Sequence, residues 1–368
     1  LHLSIRRQRQ MCIRDRELTS DTPTLVDPFG GAADLLTRQL RTPLSPEESF
    51  SDDPLRMLRA ARFISQLEVA PDPAITSAVT AMAERLSIVS PERIRIEFDK
   101  LMVTPRPSFG LWFLADTLLI DQFLPELLLM RLEQDPIHRH KDVLTHTLAV
   151  VENVQKDARD DFDFRITRLA ALYHDIGKPR TRGFKEGKGV TFHHHEVVGA
   201  RMTRERMKAM KYSNDDIAAV SELVAISGRF HTYQMGWTDS AVRRYVRDAG
   251  EYLPELNVLT RCDCTTRNEK KARMLARRMD EMEARINELM ASEELASLRP
   301  ELDGQQVMDL LEVPAGPIVG AAMEFLMDIR LEEGVLGEEQ IVARLRTWWD
   351  ANKDKASSLR PTRRINRG

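Results

Sequence analysis

The chain has 368 residues, with 54 Lys and Arg against 57 Asp and Glu and a formal net charge of −3. At 42% hydrophobic and 30% charged residues it can fill two or three compact cores, but its bulk charge does not attract nucleic acid, so such a partner needs a local basic face. Three cysteines exclude a disulfide framework, no apolar run is long enough to span a bilayer, and no secretory signal is visible, which together read as a cytoplasmic protein.

Leu1–Arg16 lacks an initiator Met and any continuity with the residues after it. It reads as a non-native leader, the alternative being a basic arm that touches RNA. From there the chain reads as almost wholly helical, because apolar residues recur at three and four and strand-like alternation is rare. Asp27-Pro28-Phe29-Gly30-Gly31 marks a tight turn before a short helix carrying Asp34 and Leu35, with Arg41 beyond it. Asp52-Asp53-Pro54-Leu55-Arg56 then opens a helix: Asp53 suits the N-cap, Pro54 the first turn, and Arg56 lies one turn from both carboxylates. Acceptor and donor groups held side by side there could read the polar edge of a nucleobase. A capped amphipathic helix with a local ion pair and a buried stripe of Met57, Leu58, Ala61, Ile64 and Leu67 explains the same residues. Arg59 and Arg62 continue the basic spacing.

Ser90-Pro91-Glu92-Arg93 begins a further helix, in which Arg93 and Glu97 can pair at i,i+4. Trp112, Phe113 and the leucines around 111–127 supply a core. Asp161-Phe162-Asp163 reads as a surface loop. His146 falls on a helix of about 141–154, and His174-Asp175 ends a helix of 166–176 that Gly177-Lys178-Pro179 stops. Another helix begins at His193-His194-His195-Glu196, and His138, His140, His193 and His194 read as surface or loop residues. Arg243, Arg244 and Arg247 form a basic helix edge suited to phosphates, although solvated charge is the simpler account of each. A long charged helix runs from 268 to about 298. Beyond it, the glycines near 304 and 316–320 could bring backbone amides to a phosphate or merely turn the chain between helices.

Several of these segments resemble, in order, the motifs of class II tRNA nucleotidyltransferases, the CCA-adding enzymes of the poly(A) polymerase superfamily. Asp52-Asp53-x-x-Arg56 and the Leu-Arg-Ala-Ala-Arg-Phe run after it resemble the family's E/D-D-x-x-R element, which hydrogen-bonds incoming CTP or ATP. Asp27 to Arg41 resembles its flexible motif, 90–101 its S-x-E-R-I element, and 299–320 its tail element. His146, His174, Asp175 and Asp263 match the H...HD...D pattern of the HD domain, residue by residue. His195 with Glu196 resembles a further ligand position of larger HD hydrolases, whereas Ser227 stands where those enzymes often carry another His, with His231 nearby.

The resemblance implies an all-α chain. Its expected parts are a leader (1–16), a remnant linking to the catalytic head (17–44), a helical base-recognition and RNA-binding neck (45–130), an HD domain (131–266) and a helical tRNA-binding tail (267–368). It implies nucleotide binding at Asp52, Asp53, Arg56 and Arg59, with Asp53 and Arg56 reading the base and Asp52 positioning Arg56. It implies RNA contacts at Arg62, Arg93, Arg243 and Arg244, and a divalent metal (Mg, Mn, Ni or Zn) on the HD residues. The partners implied are tRNA, CTP and ATP, with Mg2+ serving the complete enzyme as it adds CMP and AMP to the tRNA 3′ end.

The α/β head of that family carries G-G-x-x-R-D and D-x-D motifs, and no G-G-x-x-R-D occurs here. The expectation is therefore a fragment without the polymerising carboxylates, adding no nucleotide to tRNA by itself. The alternatives are a metal-dependent HD phosphohydrolase acting on nucleotides or 2′,3′-cyclic phosphates, a poly(A) polymerase of the same superfamily, and an inactive tRNA-binding remnant.

Overall fold

The computed structural model describes residues 27–132, 142–156, 161–185, 189–232, 238–266, 268–293 and 299–353, with backbone alone at 231, 232, 292 and 293. The readings made at Leu1–Arg16, His138 and His140 fall outside these residues, as does the side chain of His231. The fold is all-α, as expected. Its described strands form only two small two-stranded pairings.

The chain divides into two units. The first comprises residues up to Gly228 together with Pro254–Arg267, and the second comprises Arg229–Leu253 with Asn268–Gly368. The residues expected as neck and HD domain lie in the first unit, apart from 229–253, which lie in the second.

In the first unit, the Asp27 carboxylate accepts the amides of Gly31 (2.7 Å) and Ala32 (2.8 Å) and so caps α1 (Gly31–Leu36). Asp34 on α1 pairs with Arg41, which closes the turn the sequence proposed. β1 (Gln39–Leu40) runs parallel to β2 (Ala70–Pro71). Between them lie α2 (Pro46–Asp52), capped by Ser45, and α3 (Leu55–Leu67). Met57, Leu58, Ala61 and Ile64 of α3 are buried as the stripe predicts. Leu67 is instead exposed, because the helix ends there, at Glu68 with φ 52°.

α4 (Pro73–Met82), α5 (Pro91–Met102), α6 (Pro107–Asp116) and α7 (Glu126–Leu129) complete the neck. The HD helices follow: α8 (Val143–Asn153), α9 (Phe164–Tyr173) and α10 (Lys178–Thr181), then the β3–β4 hairpin (Gly183–Lys185, Gly189–Thr191), α11 (His195–Ala209) and α12 (Asn214–Ile226). Asp163 of the 161–163 loop is the N-cap of α9 and accepts the Ile166 amide at 2.9 Å. The segment 161–163 is thus a loop, as expected, exposed at Asp161 and Asp163, and its last residue caps the helix that follows.

Three polar ties explain why neck and HD helices form one unit. Arg168 on α9 is fully buried and donates to the carbonyls of Met102, Thr104 and Val154. Arg206 makes a two-pronged pair with Glu126 (2.7 and 2.9 Å), and the Tyr212 hydroxyl donates to Asp99 at 2.6 Å.

In the second unit, α13 (Arg229–Thr232) and α14 (Asp239–Ala249) are separated by α15 (Leu253–Cys262) from α16 (Glu269–Glu293), α17 (Gly304–Leu311), α18 (Pro317–Glu333) and α19 (Glu338–Asn352). α14 packs on α16 and α18, burying Ala241, Val242, Tyr245, Val246 and Ala249, and Asp239 pairs with Arg285 of α16 at 2.6 Å. Asp303 and Gln306 form a capping box at α17. The core includes Val307, Leu326, Ile341 and Leu345, and Phe325 stacks on Trp348 at 5.4 Å.

Candidate functional site

A cavity of about 340 Å³ opens where α2 and α3 meet the segment 40–44. Asp52, Arg56 and Arg59 line it together with Phe29, Arg41 and Phe50. Its size is within the range of small-ligand pockets. Arg56 donates to the Ser49 carbonyl at 3.0 Å and lies 3.5 Å from the Asp52 carboxylate, within the ion-pair reach the spacing predicts. The Nε atoms of Arg56 and Arg59 are buried without hydrogen-bond partners, and such donors are uncommon in folded proteins. Burial pulls the Arg59 guanidinium below its ordinary range, against the opposing charge of Glu97.

Asp53 is extended between α2 and α3 and accepts the Leu55 amide at 3.2 Å, the capping role the sequence assigns it. Its carboxylate also takes Arg93 at 3.1 Å, and it is not among the residues that line the cavity. Sequence reading missed Arg41 and Phe29 as lining residues. Their placement depends on the turn that Asp27 caps.

The arginines expected at RNA separate into two groups. Arg62 is turned inward, its Nε 2.5 Å from the buried Glu97 carboxylate. Arg243 is buried and donates to the carbonyls of Leu331 and Glu332 at the end of α18. Both correct the expectation of an RNA-facing surface, because their donors hold the fold together. The i,i+4 pairing expected of Arg93 with Glu97 is likewise replaced by Arg93–Asp53 and Arg62–Glu97. Arg93 and Arg244 remain half-exposed, with Arg244 paired to Glu332.

The HD residues converge. One ligand atom each from His146, His174 and Asp263 lies within 4.8 Å of the others. His146 Nε2 is 2.8 Å from Asp263 Oδ1, and His174 Nε2 is 3.6 Å from the same oxygen and 3.3 Å from Asp175 Oδ2. Their other ring nitrogens are occupied: His174 Nδ1 faces the Ala171 carbonyl and His146 Nδ1 the Thr265 hydroxyl, both at 2.8 Å. That fixes each ring with Nε2 toward the cluster, the usual outer support of a histidine metal ligand. Two imidazoles and a carboxylate therefore fit a divalent ion.

Burial would lower the His174 pKa, but Asp175 and then Asp263 hold it up at about 10. Burial would raise Asp175, but His174 and Lys178 hold its carboxyl well below the usual range. Sequence reading assigned no role to Lys178, whose Nζ sits 2.6 Å from Asp175 Oδ2; its i,i+3 spacing was the available signal. His195 Nε2 approaches Asp175 Oδ1 at 3.5 Å, whereas Ser227 donates to the Val224 carbonyl and brings no imidazole. His193 and His194 are exposed, as expected.

Known proteins carry the same organisation. Residues 143–268 match the HD domain, and 69–130 match the probable RNA and SrmB-binding site of polymerase A. The A-adding tRNA nucleotidyltransferase of Deinococcus radiodurans is 34% identical over 314 residues, covering 83% of this chain and 70% of that protein. The CC-adding tRNA nucleotidyltransferase of Thermus thermophilus is 31% identical over 337 residues, covering 89% and 74%. The solved Bacillus stearothermophilus CCA-adding enzyme in complex with CTP has the same fold at a TM-score of 0.62 and 21% identity, covering 90% of this chain and 71% of that one. With the acidic pair and arginine at one helix start, the converged HD residues and relatives matched over most of both lengths, the chain belongs to the tRNA nucleotidyltransferase family.

Proposed function

We propose that this chain selects CTP and ATP and binds tRNA for the addition of CMP and AMP to the tRNA 3′ end. The observation that carries this reading is the cavity lined by Asp52, Arg56 and Arg59, which sets two guanidinium groups and a carboxylate around one small-ligand space. Arg56 supplies donors to the base edge and Asp52 orients it. Asp53 keeps acceptor capacity beyond Leu55 and Arg93, because a carboxylate offers about four lone-pair sites. Arg59 adds positive charge for the phosphates, and half-exposed Arg93 and Arg244 are the candidate contacts to RNA. A cytoplasmic site of action is consistent with this reading and with the absence, among the described residues, of any helix long and apolar enough to cross a membrane.

Equilibrium binding of CTP, ATP, GTP and UTP tests it. CTP and ATP bind, and GTP and UTP bind at least about tenfold more weakly, the factor one charged hydrogen bond supplies. Arg56→Ala and Asp53→Ala each erase that preference. Equal affinity for all four nucleotides, or an unchanged preference in both variants, refutes the reading.

A second reading has its own observation, the convergence of His146, His174 and Asp263. We propose that these residues hold a divalent ion, of which Mg, Mn, Ni and Zn are candidates. Such an ion, when bound, would activate water for phosphoester hydrolysis. Lys178 on Asp175 and Ser227 in place of a further imidazole both weigh against a two-ion site. Phosphodiesterase turnover that depends on added metal and is lost in His174→Ala supports hydrolysis; no turnover with any of the four metals removes it.

A further inference from the structure

Between Asp175 and His195 lies a segment of which the HD cluster uses only Lys178, through its pair with Asp175. It holds Lys178, Arg180, Arg182, Phe184 and Lys185, and no acidic residue occurs from 176 to 185. Both of its feet rest on the HD cluster. At the first, Lys178 Nζ contacts Asp175 Oδ2 at 2.6 Å. At the second, His195 Nδ1 faces the Phe192 carbonyl at 2.9 Å, and the Lys178 ammonium sits 5.7 Å from the Phe192 ring, tying one foot to the other.

Within 178–185 the outer residues face solvent. Arg180, Arg182 and Lys185 are exposed, and none makes an ion pair among the described residues. Phe184 is 73% exposed on strand β3. A ring that open gains nothing from the core and leaves its face free to stack. Cations interleaved with one open aromatic ring are what a single-stranded nucleic acid needs: guanidinium and ammonium groups track the phosphates while a base stacks on the ring. A duplex satisfies only the charge, because its bases are already stacked and paired.

We propose that the 178–185 segment is a binding site for single-stranded RNA, which leads a strand to the His146, His174 and Asp263 cluster. The site is separate from the nucleotide cavity and does not depend on the selection of CTP and ATP.

Fluorescence anisotropy with a labelled eight-nucleotide single-stranded RNA tests it, with a duplex of equal length beside it. The chain binds the single strand more tightly than the duplex. Phe184→Ala weakens single-strand binding about tenfold. Arg180→Glu with Arg182→Glu weakens it further and lowers the salt slope by about 1.4, since each single-strand phosphate contact contributes about 0.7. All three substituted residues are exposed, so the fold should survive, and circular dichroism checks that it does. Single-strand affinity unchanged in both variants, or equal affinity for single strand and duplex, overturns the proposal. CTP binding measured on the same samples reports the other site, so failure of the nucleotide reading shows there and leaves the RNA result legible.

Discussion

Glu97 is buried in the neck with 7% of its side chain exposed, and Arg62, 15% exposed, is the cation that makes this tolerable. Lys100 also approaches, at 3.8 Å, but from a largely exposed position, where a surface pair contributes little. Replacing Arg62 by Met therefore strands a carboxylate in the interior and should cost about 3 kcal/mol in chemical denaturation. Changing both residues to Met should recover most of that loss, because well-packed apolar side chains often replace a buried pair without penalty. A single variant as stable as the parent would show that the pair is dispensable. Cys262 makes a comparable point about reactivity. Burial, and after it the charge of Asp263, pushes its thiol up to about 12. Only the thiolate is an effective nucleophile. Iodoacetamide at pH 8 should accordingly alkylate Cys262 much more slowly than a small-molecule thiol, as peptide mass spectrometry of the labelled chain would report.

Helix α3, which carries Arg56 and Arg59, owes its position to a close crossing with α6. A Cβ at Gly110 would lie 2.3 Å from the Ala61 carbonyl oxygen and 2.6 Å from Ser65 Oγ, and the backbone oxygen cannot swing aside. Gly110→Ala should destabilise the chain by about 3 kcal/mol, at the upper end of overpacking costs, and weaken CTP binding by displacing α3. Thermal unfolding and nucleotide titration of the one variant would check both effects. Asp99 on α5 makes stability depend on pH. Burial raises its pKa, against the Tyr212 hydrogen bond and the charge of Arg165. A carboxyl that holds its proton more tightly when folded costs stability above its folded pKa, and that cost disappears as pH falls through it. Asp99→Asn, still able to accept from Tyr212, should gain most over the parent near pH 7, and the gap should close below about pH 4. A gap independent of pH would contradict this. These cases also mark how far the sequence could be read. The start of α3, the cap at Asp53 and the Asp52–Arg56 pair are local, so spacing exposed them. Glu97–Arg62, Arg93–Asp53 and the burial of Arg243 join residues 35 to 89 positions apart, and no helical period encodes such partners. The cavity was illegible for the same reason: Phe29 and Arg41 reach it only after the chain has turned at Asp27.

For the whole molecule, the two units make different demands on a bound ion. His146, His174 and Asp175 precede Gly228, and Asp263 lies within 254–267, so every candidate ligand belongs to the first unit although they span more than a hundred positions. These four residues were legible in order along the sequence, but the chain path that takes 229–253 into the other unit and returns Asp263 to the cluster was not. An ion held by the folded cluster and not by the unfolded chain stabilises only the unit whose folding assembles it. At a concentration a hundred times its dissociation constant the gain is about 2.7 kcal/mol, which for a domain of this size moves a melting temperature by about 5–10 °C. Scanning calorimetry with added Mn2+ or Ni2+ should therefore raise the transition of the first unit and leave that of the second in place. Histidine is the ligand whose loss is informative here: His146→Ala should abolish the shift, because it removes the group 2.8 Å from Asp263 while the buried His174 keeps its bond to Ala171. A shift that survives in His146→Ala would place the ion elsewhere. Equal movement of both transitions would mean that the ion's effect reaches both units, and the assignment of its stabilisation to the first alone would fail.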